Sequence, residues 1–314
     1  MKSFCALNLV LSEAAAESLG KAATQVLGQK IAVLSNDEAG INIAQGIKKA
    51  GGCALMFNNC FESQIYFAVK HFSPHAVIFS QGDEKSSVAI YDSSALPVSS
   101  TLEEKISLAA VQSGRISGDG EVIEADLSSA YYKELLNCGE SFENINVSVV
   151  SRNGSVKRML TRAIFALGGL NSGKVKFCIS PSGLVLSTVD ENGKVHTHDE
   201  LIAVCCRCAL EAQEKIDVPF TVVQSVGNSS LVKAGFQNGS ELWQRDAVFL
   251  AAKLLHYMSF YGCGLCTLCQ KIEPQSVSRK SFSGSLSIPD IADLLDCDEL
   301  ITDDDNSAFL KNEK

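Results

Sequence analysis

The sequence predicts an α/β protein made of tandem α/β/α units with mixed, largely parallel sheets. Three observations carry that expectation. Short apolar runs alternate with longer segments of helical spacing, and glycines punctuate the joins. With 46% of its 314 residues hydrophobic, the chain can bury cores in two or three domains.

From Ser12 to Gly28 the residues Leu19, Ala22, Ala23, Val26 and Leu27 recur at helical spacing, and Gly28 suits the position after a helix. KIAVLS, 30–35, reads as a buried strand. Glu38–Ala50 reads as a helix that aligns Ile43 with Ile47 and stops at Gly51-Gly52. The strand CALMF follows, then a helix near Glu62–Phe72 that places Ile65, Val69 and Phe72 together. Pro74 ends that helix before the strand HAVIFS. This βαβαβ order implies parallel strands with right-handed crossovers, and ligands in such folds bind at the carboxyl ends of the strands. For the third strand that end is the loop Ser80–Ser87, SQGDEKSS, after which VAIYD returns as a strand. Residues 98–130 read as a helix followed by an acidic loop.

A second unit opens with the helix AYYKELLN, then INVSVV, a turn at Asn153-Gly154 and a helix carrying the densest basic group, Lys157, Arg158 and Arg162. Two strands, Val175–Ile179 and Leu184–Val189, are joined by the turn Ser180–Gly183. An Asp-Glu-Asn-Gly turn leads to a helix starting near Asp199, with Asp199 expected as its N-cap and His196 and His198 as exposed polar surface. A third unit comprises ELIAVCCRCALEAQ, the strand FTVVQSV, a turn rich in Asn and Ser, and a helix from Arg245 with Glu241 as a first-turn acid. The expected divisions are 1–135, 136–194, 195–275 and an acidic tail, 276–314.

The net charge of −9, without a strong basic cluster, argues against nucleic acid and anionic membranes as partners. No apolar run approaches the roughly 18 residues of a membrane span. The opening MKSFCALNLVLSEAAAESLG is a poor secretion signal, because Asn8 interrupts its apolar stretch and Glu13 sits where cleavage would occur. Most of the 12 cysteines lie in apolar segments, as Cys53, Cys178 and Cys205 do, which suits reduced thiols in the cytoplasm.

The order and phrasing of LGKAATQVLG, GIKKAGG…ESQIYFAVKHFSPHAVIFS, YD…LPV…LEEKI, VSVVSRNG, VDENGKVHTHDEL and RDAVFLAAKLL…YGCGLCTLCQKIEP resemble the α-D-phosphohexomutases, the phosphoglucomutase and phosphomannomutase family, over roughly residues 10–275. The resemblance implies four loops facing one cleft. A Thr-Ala-Ser-His-Asn-Pro loop carries a phosphoserine, an Asp-x-Asp-x-Asp-Arg loop binds Mg²⁺, and a Gly-Glu-x-Ser-x-His loop reads sugar hydroxyls. A C-terminal domain holds phosphate with Arg-x-Ser-Gly-Thr. Phosphoryl transfer accumulates charge on oxygen, so the cation and its carboxylates are chemically required there.

This chain departs from the pattern at each loop. The phosphoserine position is SQGDEKSS, where Ser80, Ser86 and Ser87 offer hydroxyls and Lys85 a cation, but Asp83 and Glu84 would repel phosphate. The metal position is Ser180, Pro181, Ser182 and Gly183, without acids, so no cofactor is expected. The sugar loop is deleted before Arg245, and the second domain is shortened after Gly169. The fourth domain is expected to be missing; Arg279, Lys280, Ser283 and Gly284 remain as a weak anion-binding candidate.

Two further readings compete. Cys263, Cys266 and Cys269 form a C-x2-C-x2-C run like those that hold zinc or iron–sulfur clusters. The other is an active hexose-phosphate mutase using unconventional residues. The expectation is a non-catalytic structural, regulatory or sugar-phosphate-binding relative, whose partner is a hexose phosphate or a protein.

Overall fold

A computed structural model of the chain describes residues 12–82, 87–115, 117–214 and 241–270, with the backbone of 299–302 and 308–311. Met1–Pro274 and Gln275–Lys314 are separate compact units.

The first sheet is assembled from β1 (Lys30–Ser35), β2 (Cys53–Asn58), β3 (Ala76–Gln81), β4 (Ser87–Asp92) and β5 (Glu121–Glu124), in the order β4-β3-β1-β2-β5. All neighbours are parallel except β3 and β4. The crossover helices are α2 (Glu38–Lys49) and α3 (Gln64–Phe72), preceded by α1 (Glu13–Leu27) and followed by α4 (Ser100–Gln112). Alternation along each strand serves two layers. Ile31, Val33, Ala54, Met56 and Ile78 pack with Ala16, Ala23, Ile43 and Ile47 of α1 and α2. Ala32, Leu34, Leu55, Phe57, Val77 and Phe79 join the other core. Burying an Ile or Phe of this kind contributes about 1.5–3 kcal/mol.

Ser12 caps α1 by accepting from the Ala15 N–H at 3.3 Å, and Asp37 caps α2 by accepting from Gly40 at 3.1 Å. The two helices approach until backbone meets backbone. A Cβ on Gly46 would lie 2.1 Å from the Glu17 carbonyl oxygen, and one on Gly20 would lie 2.1 Å from that of Ile43. Only glycine permits this approach.

The expected acidic loop after α4 contains β5, which adds to β2 in parallel register, Cys53 opposite Glu121 and Met56 opposite Glu124. Two apolar residues between acids give too short a run to read from sequence. The strand exists because β2 offers its edge and Val122 packs on the first core layer.

The second sheet orders β6 (Asn146–Val150), β7 (Leu170–Ile179), β8 (Leu186–Val189) and β9 (Val195–His196) consecutively, with β6 and β7 parallel and the rest antiparallel. The strand β7 begins earlier than Val175, with a register irregularity opposite Asn146. The helices α5 (Leu127–Leu136), α6 (Gly154–Ala166), α7 (His198–Glu211), α8 (Leu242–Arg245), α9 (Ala247–Phe260) and α10 (Leu265–Cys269) follow the chain around it. One continuous core joins Phe57, Phe67 and Tyr131 to Phe177, Leu201 and Phe249.

The cap of α7 is Thr197, not Asp199. Its hydroxyl accepts from the Glu200 N–H while Glu200 receives the Thr197 N–H at 2.7 Å, a capping box. The expected helix from Arg245 begins at Ala247, as α9, and a short helix, α8, precedes it, with Asp246 between the two. Glu241 caps α8 rather than lying in its first turn. The strand FTVVQSV and the turn after it lie outside the described residues. In the second unit β10 (Glu299–Thr302) and β11 (Ala308–Lys311) pair antiparallel, within the stretch read as an acidic tail. Among the described residues no helix is long and apolar enough to cross a membrane.

Replacing Gly46 with alanine tests the α1–α2 contact. The helix-propensity gain of about 1 kcal/mol is expected to be overridden by crowding, with a net loss of roughly 1–3 kcal/mol in urea denaturation.

Candidate functional site

The turn Ser180–Gly183, the expected metal position, joins β7 to β8. Each of its four carbonyls is engaged within the protein. That of Ser180 accepts from Gly183 N–H at 2.9 Å, and that of Pro181 from the Asn153 side-chain amide at 2.9 Å. That of Ser182 accepts from Ser63 N–H at 3.0 Å, and that of Gly183 from Ala247 N–H at 2.8 Å. The two hydroxyls, Ser180 Oγ and Ser182 Oγ, lie 3.0 Å apart and accept from Val185 and Leu184 N–H groups. Gly183 takes φ +78°, and a Cβ there would stand 2.5 Å from Ser63 Oγ and 2.8 Å from the Phe61 ring.

This donor set does not fit Mg²⁺. Offsetting the dehydration of a hard divalent cation takes carboxylates, and the turn has none. Its oxygens instead fasten α3, α6 and α9 to the second sheet.

Ser80, at the start of the expected phosphoserine loop, is not presented to solvent. It is 0% exposed and its hydroxyl donates to Asp37 Oδ1 at 2.7 Å. Asp37 Oδ1 also receives Ser35 Oγ at 3.0 Å, while its Oδ2 is buried without a hydrogen-bond partner among the described residues. The hydroxyl thus ties the end of β3 to the start of α2. Ser87 opens β4 opposite Gln81, and Lys85 and Ser86 lie outside the described residues, as do Arg279, Lys280, Ser283 and Gly284.

The strongest polar assembly was not expected from the sequence. Asp246, 1% exposed, accepts from Ser63 Oγ at 2.8 Å and Tyr131 Oη at 2.7 Å on Oδ2. On Oδ1 it accepts the N–H groups of Val248 at 2.8 Å and Phe249 at 3.3 Å, capping α9. Phe61, Phe67 and Phe249 surround Tyr131, with ring centroids 5.6, 5.3 and 4.9 Å from it. Burial raises the Asp246 pKa to about 6, against the four hydrogen bonds, which lower it. The pattern that could have found it is an Asp immediately before the apolar run 247–255. Its two hydroxyl partners come from distant segments and carry no local signal.

The next turn, Asp190–Gly193, holds a second buried pair. Asp190 Oδ2 lies 3.0 Å from His196 Nε2, and Oδ1 accepts from Asn192 and Lys194 N–H groups at 2.9 Å each. Burial opposes the charge of Asp190, but these bonds outweigh it and hold its pKa below the ordinary value. His196 is therefore a core residue rather than exposed surface, and His198 Nδ1 accepts from Leu186 N–H at 3.2 Å. On the adjoining helix, Arg158 donates to Ser155 Oγ at 3.2 Å and Arg162 lies 4.6 Å over the Tyr132 ring.

The same turn accounts for the cysteine run. Glu191 accepts the N–H groups of Leu265 at 2.7 Å and Cys266 at 2.9 Å, fixing the start of α10. Asn192 donates to Cys266 Sγ, and Cys269 is buried with its thiol pushed up to about 12 by burial. Among the described residues no group of three or more His, Cys, Asp or Glu is placed to hold a metal ion. All ten described cysteines are thiols.

Because its folded value lies above that of the unfolded chain, Asp246 contributes stability that is complete below pH 3.8 and lost as pH rises through about 6. Removing a donor to the charged form makes that loss larger. Tyr131→Phe is expected to cost about 1–3 kcal/mol at about pH 7.5 and distinctly less at about pH 5, read by urea denaturation. Equal losses at both values would separate the hydroxyl from the carboxylate charge.

No family model matches the chain, and no curated protein matches its sequence. Solved structures do. A phosphoglucomutase/phosphomannomutase family protein from Burkholderia thailandensis superposes with TM-score 0.66 at 14% identity, covering 84% of this chain and 77% of its own. A phosphomannomutase-like structure from Thermus thermophilus gives TM-score 0.61 at 12% identity, covering 83% and 79%. The open form of parafusin, a Paramecium phosphoglucomutase described as an exocytosis-sensitive phosphoprotein, gives 0.55 at 8%, covering 82% and 70%. The chain has the mixed α/β phosphohexomutase-like fold.

Proposed function

We propose that this chain is a non-catalytic protein of phosphohexomutase-like fold, which acts by binding a hexose phosphate or a protein rather than by moving a phosphoryl group. One observation carries the reading: all four carbonyls of the Ser180–Gly183 turn are bonded to the protein's own donors, in a turn without a carboxylate. A transferring phosphoryl group there would meet no carboxylate in the turn to hold the cation that offsets its charge. The burial of Ser80 against Asp37 supports the same conclusion, because a nucleophilic hydroxyl has to reach its substrate.

The test is incubation of the full chain with glucose 1-phosphate or mannose 1-phosphate, Mg²⁺ and a bisphosphorylated activator. The expected result is no interconversion above that of a heat-denatured control. Turnover that disappears when Ser80, Ser86 and Ser87 are changed to alanine would overturn the proposal and establish a mutase with unconventional residues.

A further inference from the structure

A cleft of about 480 Å³ opens between α3, the turn after β4 and α8. It lies at the end of the first sheet opposite Ser80. Ser80 pairs with Val88, whereas Ser93 and Ser94 follow Asp92, which pairs with Ala76 at the start of β3. The cleft is therefore distinct from the strand end that carries Ser80.

Its apolar part is the Tyr66 ring and Val69, three residues apart on one face of α3. Its polar part carries two cations, Arg245 and Lys70, with one carboxylate, Glu241. The Arg245 guanidinium is held in place from two sides. Its central carbon stands 4.3 Å over the Tyr66 ring, and Nη1 donates to the Ser94 carbonyl at 3.2 Å. Burial depresses its pKa, with Tyr66 and Asp92 opposing that effect, so its charge is incompletely hydrated. A planar fork fixed beside an aromatic ring suits an acidic group.

We propose that this cleft binds a small organic anion, its flat or apolar body on Tyr66 and Val69 and its acidic group against Arg245 and Lys70. The volume falls in the range of small-molecule sites. Glu241 on the wall disfavours a second acidic group and accepts a hydroxyl or ammonium from the ligand. Carboxylates and phosphate monoesters share the required chemistry. The proposal does not depend on the absence of phosphoryl transfer elsewhere in the chain.

Calorimetric titration of the full chain with benzoate, phenyl phosphate, inorganic phosphate and benzamide tests it. Saturable one-site binding of benzoate or phenyl phosphate is expected, tighter than that of inorganic phosphate or of neutral benzamide. The tighter of the two identifies the acidic group. Arg245→Gln should weaken it by about tenfold or more. Lys70→Gln, a change on an exposed side chain, should weaken it by a smaller factor with the melting temperature unchanged, which guards against misfolding of the Arg245 variant. The proposal fails if neither aromatic anion binds at about 10 mM, if inorganic phosphate or benzamide binds as tightly, or if both variants titrate like the parent chain.

Discussion

A carboxylate cut off from water is tolerable only when donors replace the solvent, and Asp246 is placed under that constraint. Two of its four donors come from its own helix and two from residues 183 and 115 positions earlier in the chain. The group can be satisfied only when α3, α5 and α9 have all arrived. Aromatic rings close around it, which lowers the local dielectric and strengthens each bond while making any missing one more costly. The Ser180–Gly183 turn is fastened to the same place, since Ser63 and Ala247, neighbours of this carboxylate, supply two of the turn's donors. The first and second sheets are thus joined through one desolvated charge.

The turn and the carboxylate together form one junction between the helices and the second sheet. A metal loop needs oxygen atoms pointing into open space with negative charge behind them. Here the oxygens point into the protein, and the neighbouring volume is occupied by Phe61 and the Ser63 side chain, close enough to exclude even a Cβ on Gly183. The hydrogen bonds that make such a loop rigid are the ones that remove its capacity to coordinate.

Most helices and strands were legible because their signals are local. Ile43 and Ile47 repeat at helical spacing, and Pro74 and Gly51-Gly52 mark stops. The lack of acids in the turn was legible too, but its use as a junction was not, because Asn153, Ser63 and Ala247 are brought to it only by tertiary structure. The Thr197-x-x-Glu200 box is present in the sequence, yet the more acidic Asp199 beside it is an equally plausible cap by residue type alone. His196 looks like surface because its partner Asp190 sits across a turn that a pattern of single residues does not reveal. The cysteine run has the spacing of a metal site; its actual environment, a helix start held by Glu191, depends on a contact 74 and 75 residues away.

The strand β5 closes one side of the first sheet with only four residues, and both its terminal positions, Glu121 and Glu124, are exposed acids. An unpaired sheet border is a template on which another chain can add itself. Brevity and like charge at both ends make this border a poor template, since an incoming copy would bring its own two carboxylates alongside. The same feature that hid β5 from a reading of the sequence, too little apolar character between its acids, protects the folded protein from aggregation through that border.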